Sequence, residues 1–260
     1  MEVRERFAEL MARPEQGIDV ELPALLIAAA AHAAEPESVT LARLDDIAGG
    51  VPAPTLSSLC EHLFVTLGFT GNACDYHDPA NSWLDAVIER RTGIPITLSV
   101  LLLAVGRRLG LELHGIGMPG HFLVHAPGDD VFIDAFSGGT VLDRQACRRL
   151  FAVTCGDGVA FDESMLAPVG PRMIARRMLN NIISIAVAER DLTSRLWAAD
   201  LRALLPDVSI ADRAELASAQ AELGRFDDAA RTLEVAAMCV PRNEAEGLLR
   251  ASRVMRARLN

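Results

Sequence analysis

From Ile96 to Leu109 nearly every residue is apolar until Arg107 and Arg108, with Pro95 before the run and Gly110 after it. A proline suits the first turn of a helix, because the N–H it lacks has no partner to lose there. A glycine suits the position just past the end. The run therefore predicts a helix that is apolar all round, and such a helix belongs inside a fold rather than on its surface. The rest of the chain must be arranged to cover it. Arg107 and Arg108 read as solvated ends of this helix, where the C-terminal dipole favours cations.

After Gly110 the period changes. Leu111–Met118, His121–Ala126 and Val131–Asp134 read as three short strands, with turns at Pro119-Gly120 and Pro127–Asp130 and a further turn at Ser137-Gly138-Gly139. The helical period returns at Asp143. Upstream, the first 70 residues read as helical. Thr55 precedes Leu56, Leu59, Leu63 and Leu67, an apolar stripe at helical spacing that Gly68 ends. Residues 68–80 are rich in Gly, Asn, Asp and Pro and predict a loop. Asn81 or Ser82 is placed to cap the next helix, with Asp85 in its first turn, and Arg91-Thr92-Gly93 breaks that helix.

The last 90 residues read as all-helical. Leu204-Leu205-Pro206 answers Cys239-Val240-Pro241, and Arg190 falls on Arg225, at an offset of 35 residues. A tetratricopeptide repeat has a period of roughly 34, and the segment Ala221–Ala230 reads as the turn between the two helices of one. Two prolines and a glycine near Ala167–Pro171 suggest a boundary. The expected domains are 1–167, holding the buried helix and the strands, and 168–260, a short helical array.

Half of the residues are hydrophobic, enough for a sizeable core, and the formal net charge of −10 argues against a nucleic-acid binder, which needs basic footprints to meet phosphates. It argues equally against docking on anionic lipid. The apolar run Leu22–Ala34 is about a dozen residues, short of the roughly 20 that span a bilayer, and reads as a buried helix. Met1 to Met11 lacks the apolar stretch of a secretory signal. The five cysteines are odd in number, widely spaced and without a Cys-x-x-Cys pair, so no disulfide framework or zinc knuckle is expected, and a reducing cytoplasm fits better. His121 and His125 lie on one strand face, but four strand residues span about 13 Å. Two ligands of one zinc ion must each lie about 2 Å from it. No metal and no cofactor is expected.

A cysteine hydrolase or transferase places its thiolate at a helix N-terminus, which lowers the thiol pKa. A histidine must reach that thiolate, and a third group must orient the histidine. A common layout starts a buried helix with the cysteine, begins a packed strand with the histidine and ends the next strand with an aspartate. Here His121 and Asp134 occupy those positions, and Gly93-Ile94 is followed by Pro95, which offers no nucleophile. Thr97 and Ser99 are the nearest hydroxyls along the helix. A buried serine more commonly bonds the carbonyl one turn back. Cys60 lies on an apolar stripe and reads as core, whereas Cys74, in the loop, is the cysteine that could swing into a cleft. Arg91 either borders that cleft, where it would bind a carboxylate, or is a solvated helix end. Asn180 and Asn181, in Arg176–Asn181, suggest a polar seam on an apolar helix.

Four strings together carry a resemblance. Asp78–Trp83 (DPANSW), Glu89–Ser99 (ERRTGIPITLS), Gly115–Val124 (GIGMPGHFLV) and Phe132–Gly139 (FIDAFSGG) resemble the SirB1 family, bacterial proteins with a transglutaminase-like core followed by tetratricopeptide repeats. The match is good over about residues 50–160. It implies an α+β fold with a papain-like transglutaminase core, N-terminal helices and an all-α tetratricopeptide-like array behind it. It does not imply transglutaminase activity, because this family commonly carries the proline in place of the nucleophile. Pro95 then belongs to the design of the family. The expected function is non-catalytic binding or regulation in the cytoplasm, with a cleft lined by Asn81, Arg91, Pro95, Thr97 and Ser99 that takes a protein or peptide partner or a small ligand. The alternative is a hydrolase or acyltransferase working through His121 and Asp134 with water or a non-standard nucleophile.

Overall fold

The computed structural model describes residues 2–32, 36–156 and 158–258. The elements run α1 (Val3–Ala12), α2 (Glu21–Ala31), α3 (Glu37–Gly49), α4 (Leu56–Cys60), β1 (Thr70–Gly71), α5 (Leu84–Arg90), β2 (Thr92–Gly93), α6 (Pro95–Arg108), β3 (His114–Ile116), β4 (Leu123–Ala126) and β5 (Val131–Asp134). They continue through β6 (Thr140–Leu142), α7 (Arg144–Cys155), β7 (Pro168–Val169), α8 (Pro171–Glu189), α9 (Leu192–Arg202), α10 (Ile210–Glu222), α11 (Phe226–Met238) and α12 (Arg242–Ala257). No helix among the described residues is long and apolar enough to cross a membrane.

The chain divides into two compact units, Arg13–Met178 and Met1–Ala12 with Leu179–Asn260. The division differs from the one expected at Ala167, and the contacts explain it. Residues 168–178 are tied to the larger unit: β7 pairs with β3, and the Arg177 guanidinium reaches two carbonyls beside β4. At the other end, α1 goes with the helical array, where Arg4 Nε hydrogen-bonds Asp200 of α9 at 2.7 Å.

In the larger unit α6 is the organising element. Every residue from Pro95 to Gly106 is buried, as an all-apolar helix requires. The five-stranded antiparallel sheet has the order β6-β5-β4-β3-β7. Side chains alternate across a strand. Ile116, Leu123 and Phe132 therefore face one side, forming a core with Met118, Cys147 and Phe151 under α7. Val124 and Ile133, paired across β4 and β5 and fully buried, face the other side, and α6 packs on β3 and β4. The expected α-helix from Thr55 to Leu67 is instead a short α4 capped by Thr55, running into a π-helix over Glu61–Thr66. The extra residue per turn keeps Leu59, Leu63 and Phe64 buried while Val65 is turned outward. The Phe64 ring then fills the space that a Cβ on Gly139 would need.

The charged end of α6 differs from the solvated end expected. Arg107 and Arg108 converge on Glu21, which is fully buried, at 2.5 and 2.7 Å, and Arg108 Nε also bonds Asp45 at 2.6 Å. These carboxylates come from α3 and the first turn of α2, so the ion cluster fastens the N-terminal helices to α6.

In the smaller unit, the helices from α9 to α12 pack each against the next. The turn after α8 closes with the Asp191 N–H on the Ala186 carbonyl, and the turn after α10 with the Arg225 N–H on the Gln220 carbonyl, 34 positions later. Arg190 and Gly224, also 34 apart, both take positive φ. The structural repeat is thus one residue shorter than the 35 read from the proline signals.

Candidate functional site

The site is built on four short segments of the larger unit. Asp134 ends β5, as expected. His121 does not begin β4. It stands two residues before it, just after the Pro119-Gly120 turn, with its own N–H on the Met118 carbonyl at 3.2 Å. From that turn its Nε2 meets Asp134 Oδ1 at 2.8 Å, with both side chains buried. Asp134 is held in turn. Its Oδ1 accepts the Phe136 and Ser137 N–H groups at 3.1 and 3.3 Å, and its Oδ2 accepts the Ser137 hydroxyl at 2.8 Å. Burial alone would push the Asp134 carboxyl up. The hydrogen bond and charge of His121, with the Ser137 donors, outweigh it and hold the carboxyl below its usual value. Ser137 thus belongs to the site, although its Ser-Gly-Gly string marks only a turn.

The head of α6 is brought toward this pair through backbone contacts. Gly93 pairs with Gly71 in the parallel β1–β2 ladder, and the Gly71 N–H bonds the Phe136 carbonyl at 3.1 Å. A Cβ on Gly71 would collide with the Phe136 ring, so only glycine allows this approach. Phe136 stands edge-on to His121, 6.2 Å between ring centroids, and Tyr76 stands edge-on to Phe136 at 5.9 Å.

Pro95 opens α6 as expected. Thr97 is committed to bracing: its hydroxyl donates to the Asn81 carbonyl at 2.6 Å and accepts the Ile94 N–H at 3.2 Å. Asn81 does not cap α5. Its amide donates to the Asp75 carbonyl at 2.8 Å and its oxygen accepts from Asn72, so it ties down the loop that carries Tyr76. Ser82 is no cap either: α5 begins after Trp83, without a side-chain cap. Ser99 is fully buried, and its hydroxyl has no hydrogen-bond partner among the described residues. Arg91 adopts φ 56°, ends α5 and donates to the Leu67 carbonyl at 3.0 Å. It is exposed, and no hydrogen bond or ion pair joins it to His121 or Asp134. Among the described residues no hydroxyl or thiol is hydrogen-bonded to the His121 ring, whose bond goes to Asp134.

The cysteines sort by environment. Burial pushes Cys60 and Cys147 up to about 11, which keeps them protonated and poorly nucleophilic at neutral pH. Cys74 is exposed, as is Cys239. Cys155 donates to the Pro119 carbonyl at 3.3 Å, beside the turn that carries His121. His125 is stacked on Phe132 and bonded to Asp130, and across the β3–β4 register it faces His114, which bonds Glu112. Among the described residues no group of three His, Cys, Asp or Glu side chains is placed to hold a metal ion.

Arg177 was singled out by no sequence signal beyond its place in a basic pair. From α8 its Nη1 and Nη2 reach the Met118 carbonyl, both at 3.1 Å, and Nη2 also reaches the His121 carbonyl at 3.1 Å. It clamps both ends of the turn that presents His121, and its guanidinium lies over the Phe122 ring.

The Asp134 network makes a pH-dependent contribution to stability. Its carboxyl is held below 3.8 in the folded chain. The unfolded chain is therefore the first to take up a proton as pH falls, and the contribution is complete above about pH 4 and lost as pH drops through the folded value. Asp134→Asn is expected to lower the unfolding free energy at pH 7 by about 1–3 kcal/mol. Urea melts of both proteins from pH 7 to pH 3 should show the gap narrowing only at the acid end. A gap that widens with acid would contradict the account.

A family model described as the transglutaminase-like superfamily matches residues 16–180. A UPF0162 protein of Xylella fastidiosa is 41% identical over 135 residues, 50% of this chain and 48% of that one. A UPF0162 protein of Vibrio cholerae is 38% identical over 77 residues, 28% of each chain. F-box only protein 21 of Mus musculus is 29% identical over 191 residues, 70% of this chain and 28% of that one. The chain thus spans about half the length of the Xylella relative. No solved structure matches it. The matched span holds α6, the sheet, His121 and Asp134, and the chain belongs to the transglutaminase-like superfamily.

Proposed function

We propose that the chain is a SirB1-type member of this superfamily acting as a cytoplasmic binding or regulatory protein, its papain-like cleft retained and its covalent chemistry lost. The cleft beside His121 takes a peptide or a small ligand, and the tetratricopeptide-like array offers a surface to a protein partner. The observation that carries this reading is Pro95 at the head of α6, together with a His121 ring bonded to a carboxylate and, among the described residues, to no hydroxyl or thiol. The 34-residue spacing of the two array turns supports the repeat reading. The similarity to part of a longer chain named an F-box protein supports a domain that serves as a module. The buried His121–Asp134 bond also suits a general base acting on water, and that hydrolase is the second reading.

The two separate in cells. On the binding reading, a chromosomal His121→Ala replacement keeps the parental growth and transcript profile. Gly71→Leu, which must displace the Phe136 ring from the cleft wall, reproduces the deletion profile while the protein stays folded. Loss of the profile in both variants, with turnover of a defined substrate lost in His121→Ala, would decide for the hydrolase.

A further inference from the structure

The smaller unit contains a cleft of about 310 Å³, lined wholly by its own residues. Arg213, Leu216 and Gln220 line it from α10, and Asp228, Arg231, Thr232 and Val235 from α11. Both sets follow the i, i+3, i+7 spacing that puts side chains in a row on one helix face. Arg4 of α1 and Asp200 of α9 complete the polar lining, with Leu204 just past α9.

The charges of this cleft do not balance. Asp200 is held by Arg4, whose Nε and Nη2 reach its two carboxylate oxygens at 2.7 and 3.4 Å. Asp228 is held by Arg225 and Arg231. Arg213 is partly buried, yet among the described residues it has no hydrogen bond and no ion pair. Its whole guanidinium fork, five N–H donors, is therefore uncommitted. Other arginines of the array are engaged: Arg195 with Glu215 and Glu222, Arg202 with Asp212, Arg256 with Asp227 and Glu234.

A second group in the same cleft points to a ligand. Gln220 is only 8% exposed. The Thr232 hydroxyl donates to its side-chain oxygen at 2.9 Å, and its amide N–H groups have no hydrogen-bond partner among the described residues. The cleft thus offers donors from two neighbouring positions of one helix face, with Leu204, Leu216 and Val235 as an apolar wall. Three arginines and two aspartates leave one positive charge over. A single negative charge balances it, whereas a phosphate near two charges would also meet Asp200 and Asp228. A planar carboxylate matches a free guanidinium fork.

We infer that Arg213 and Gln220 form a carboxylate-recognition site of the helical array, taking a chain-end or side-chain carboxylate of a protein partner beside an apolar group. The inference rests on the reading of the array as a partner surface and names the chemistry of that partner.

Leucine and valine methyl labelling of the full chain places resonances on Leu204, Leu216 and Val235 in the cleft wall, each assigned by a conservative substitution. N-acetyl-leucine offers a chain-end carboxylate with an apolar group, and N-acetyl-glutamate amide offers a side-chain carboxylate. N-acetyl-leucine amide, which has no charge, and inorganic phosphate would be titrated in parallel at matched ionic strength. The expected result is a saturable shift of these methyls with at least one carboxylate and none with the neutral amide, the stronger arm identifying the source. Arg213→Gln should weaken the response by at least about tenfold. Gln220→Glu, which sets a carboxylate beside Arg213, is the second variant should Arg213→Gln not fold, and should abolish the response. Four results would overturn the inference: no saturable shift in the folded wild type, an equal shift with the neutral amide, tighter binding of phosphate than of either carboxylate, or a response preserved in the folded variants. Carboxylate binding that Arg213→Gln removes without changing the profile in cells would keep this site and remove the array from the proposed function. A silent wild type whose profile in cells still depends on the array would remove the site alone.

Discussion

Pro95→Cys is expected to create a thiol that reacts with iodoacetamide at pH 6.5 roughly tenfold faster than exposed Cys74 in the same molecule. At a helix N-terminus beside a histidine, a thiol pKa falls from about 8.5 into the range of about 3.5–7.5. A drop of about two units raises the thiolate fraction at pH 6.5 by somewhat under a hundredfold. The lower basicity reduces intrinsic nucleophilicity by up to about tenfold, leaving a net gain near tenfold. Proline at the first helical position contributes a fixed φ and loses no hydrogen bond, so its replacement should leave α6 intact, buried as it is from Pro95 to Gly106. The gain should vanish in Pro95→Cys/His121→Ala, because the ring that stabilises the thiolate is then missing. Rates are read by peptide mass spectrometry, with Cys74 as the internal reference. An introduced thiol that reacts no faster than Cys74 would mean that the head of α6 is not the former nucleophile position.

The second large effect is on stability. Arg108→Met is expected to cost about 3 kcal/mol, because removing one partner of a buried ion pair leaves a charge without compensation. Glu21 is fully buried, and Arg108, with a side chain 13% exposed, is its better-covered partner. Arg107 also bonds Glu21, but its side chain is 47% exposed, and solvent screens that contribution. Arg107→Met should therefore cost no more than about 1 kcal/mol. Equilibrium urea unfolding of the two variants separates the cases. Equal, small losses would show that the cluster does not fasten the N-terminal helices to α6.

What was legible in the sequence follows from which interactions are local. Pro95 and Gly110 delimit α6, because helix ends are set by the residues at those ends. Asp134 was legible because it ends an alternating strand, and His121 because it follows a Pro-Gly turn, although the turn holds it two residues short of β4. The turns of the helical array were legible for the same reason, apart from a one-residue error of period. The roles of Arg177, Tyr76, Phe136 and Ser137 were not legible. Arg177 lies 56 positions from the carbonyl of His121 that it grips, and an Arg-Arg pair reads as a solvated face on any helix. The Glu21 cluster failed in the same way, since its arginines lie more than 80 positions away. The bracing done by Asn81 and Thr97 was not legible either, because it runs to backbone carbonyls 6 and 16 positions away. The boundary of the larger unit fell within α8 because one continuous helix carries no signal of where its partners change.

On the binding reading, the His121 cleft keeps its shape and has no nucleophile. Covalent trapping decides the point. The full wild-type chain and His121→Ala would be treated in parallel with a fluorophosphonate and with iodoacetamide, and adducts mapped by peptide mass spectrometry. The expected result is labelling of exposed Cys74 and Cys239 alone, equal in the two proteins, and none at Thr97 or Ser99. An adduct on any hydroxyl or thiol that forms in the wild type and disappears in His121→Ala would contradict it.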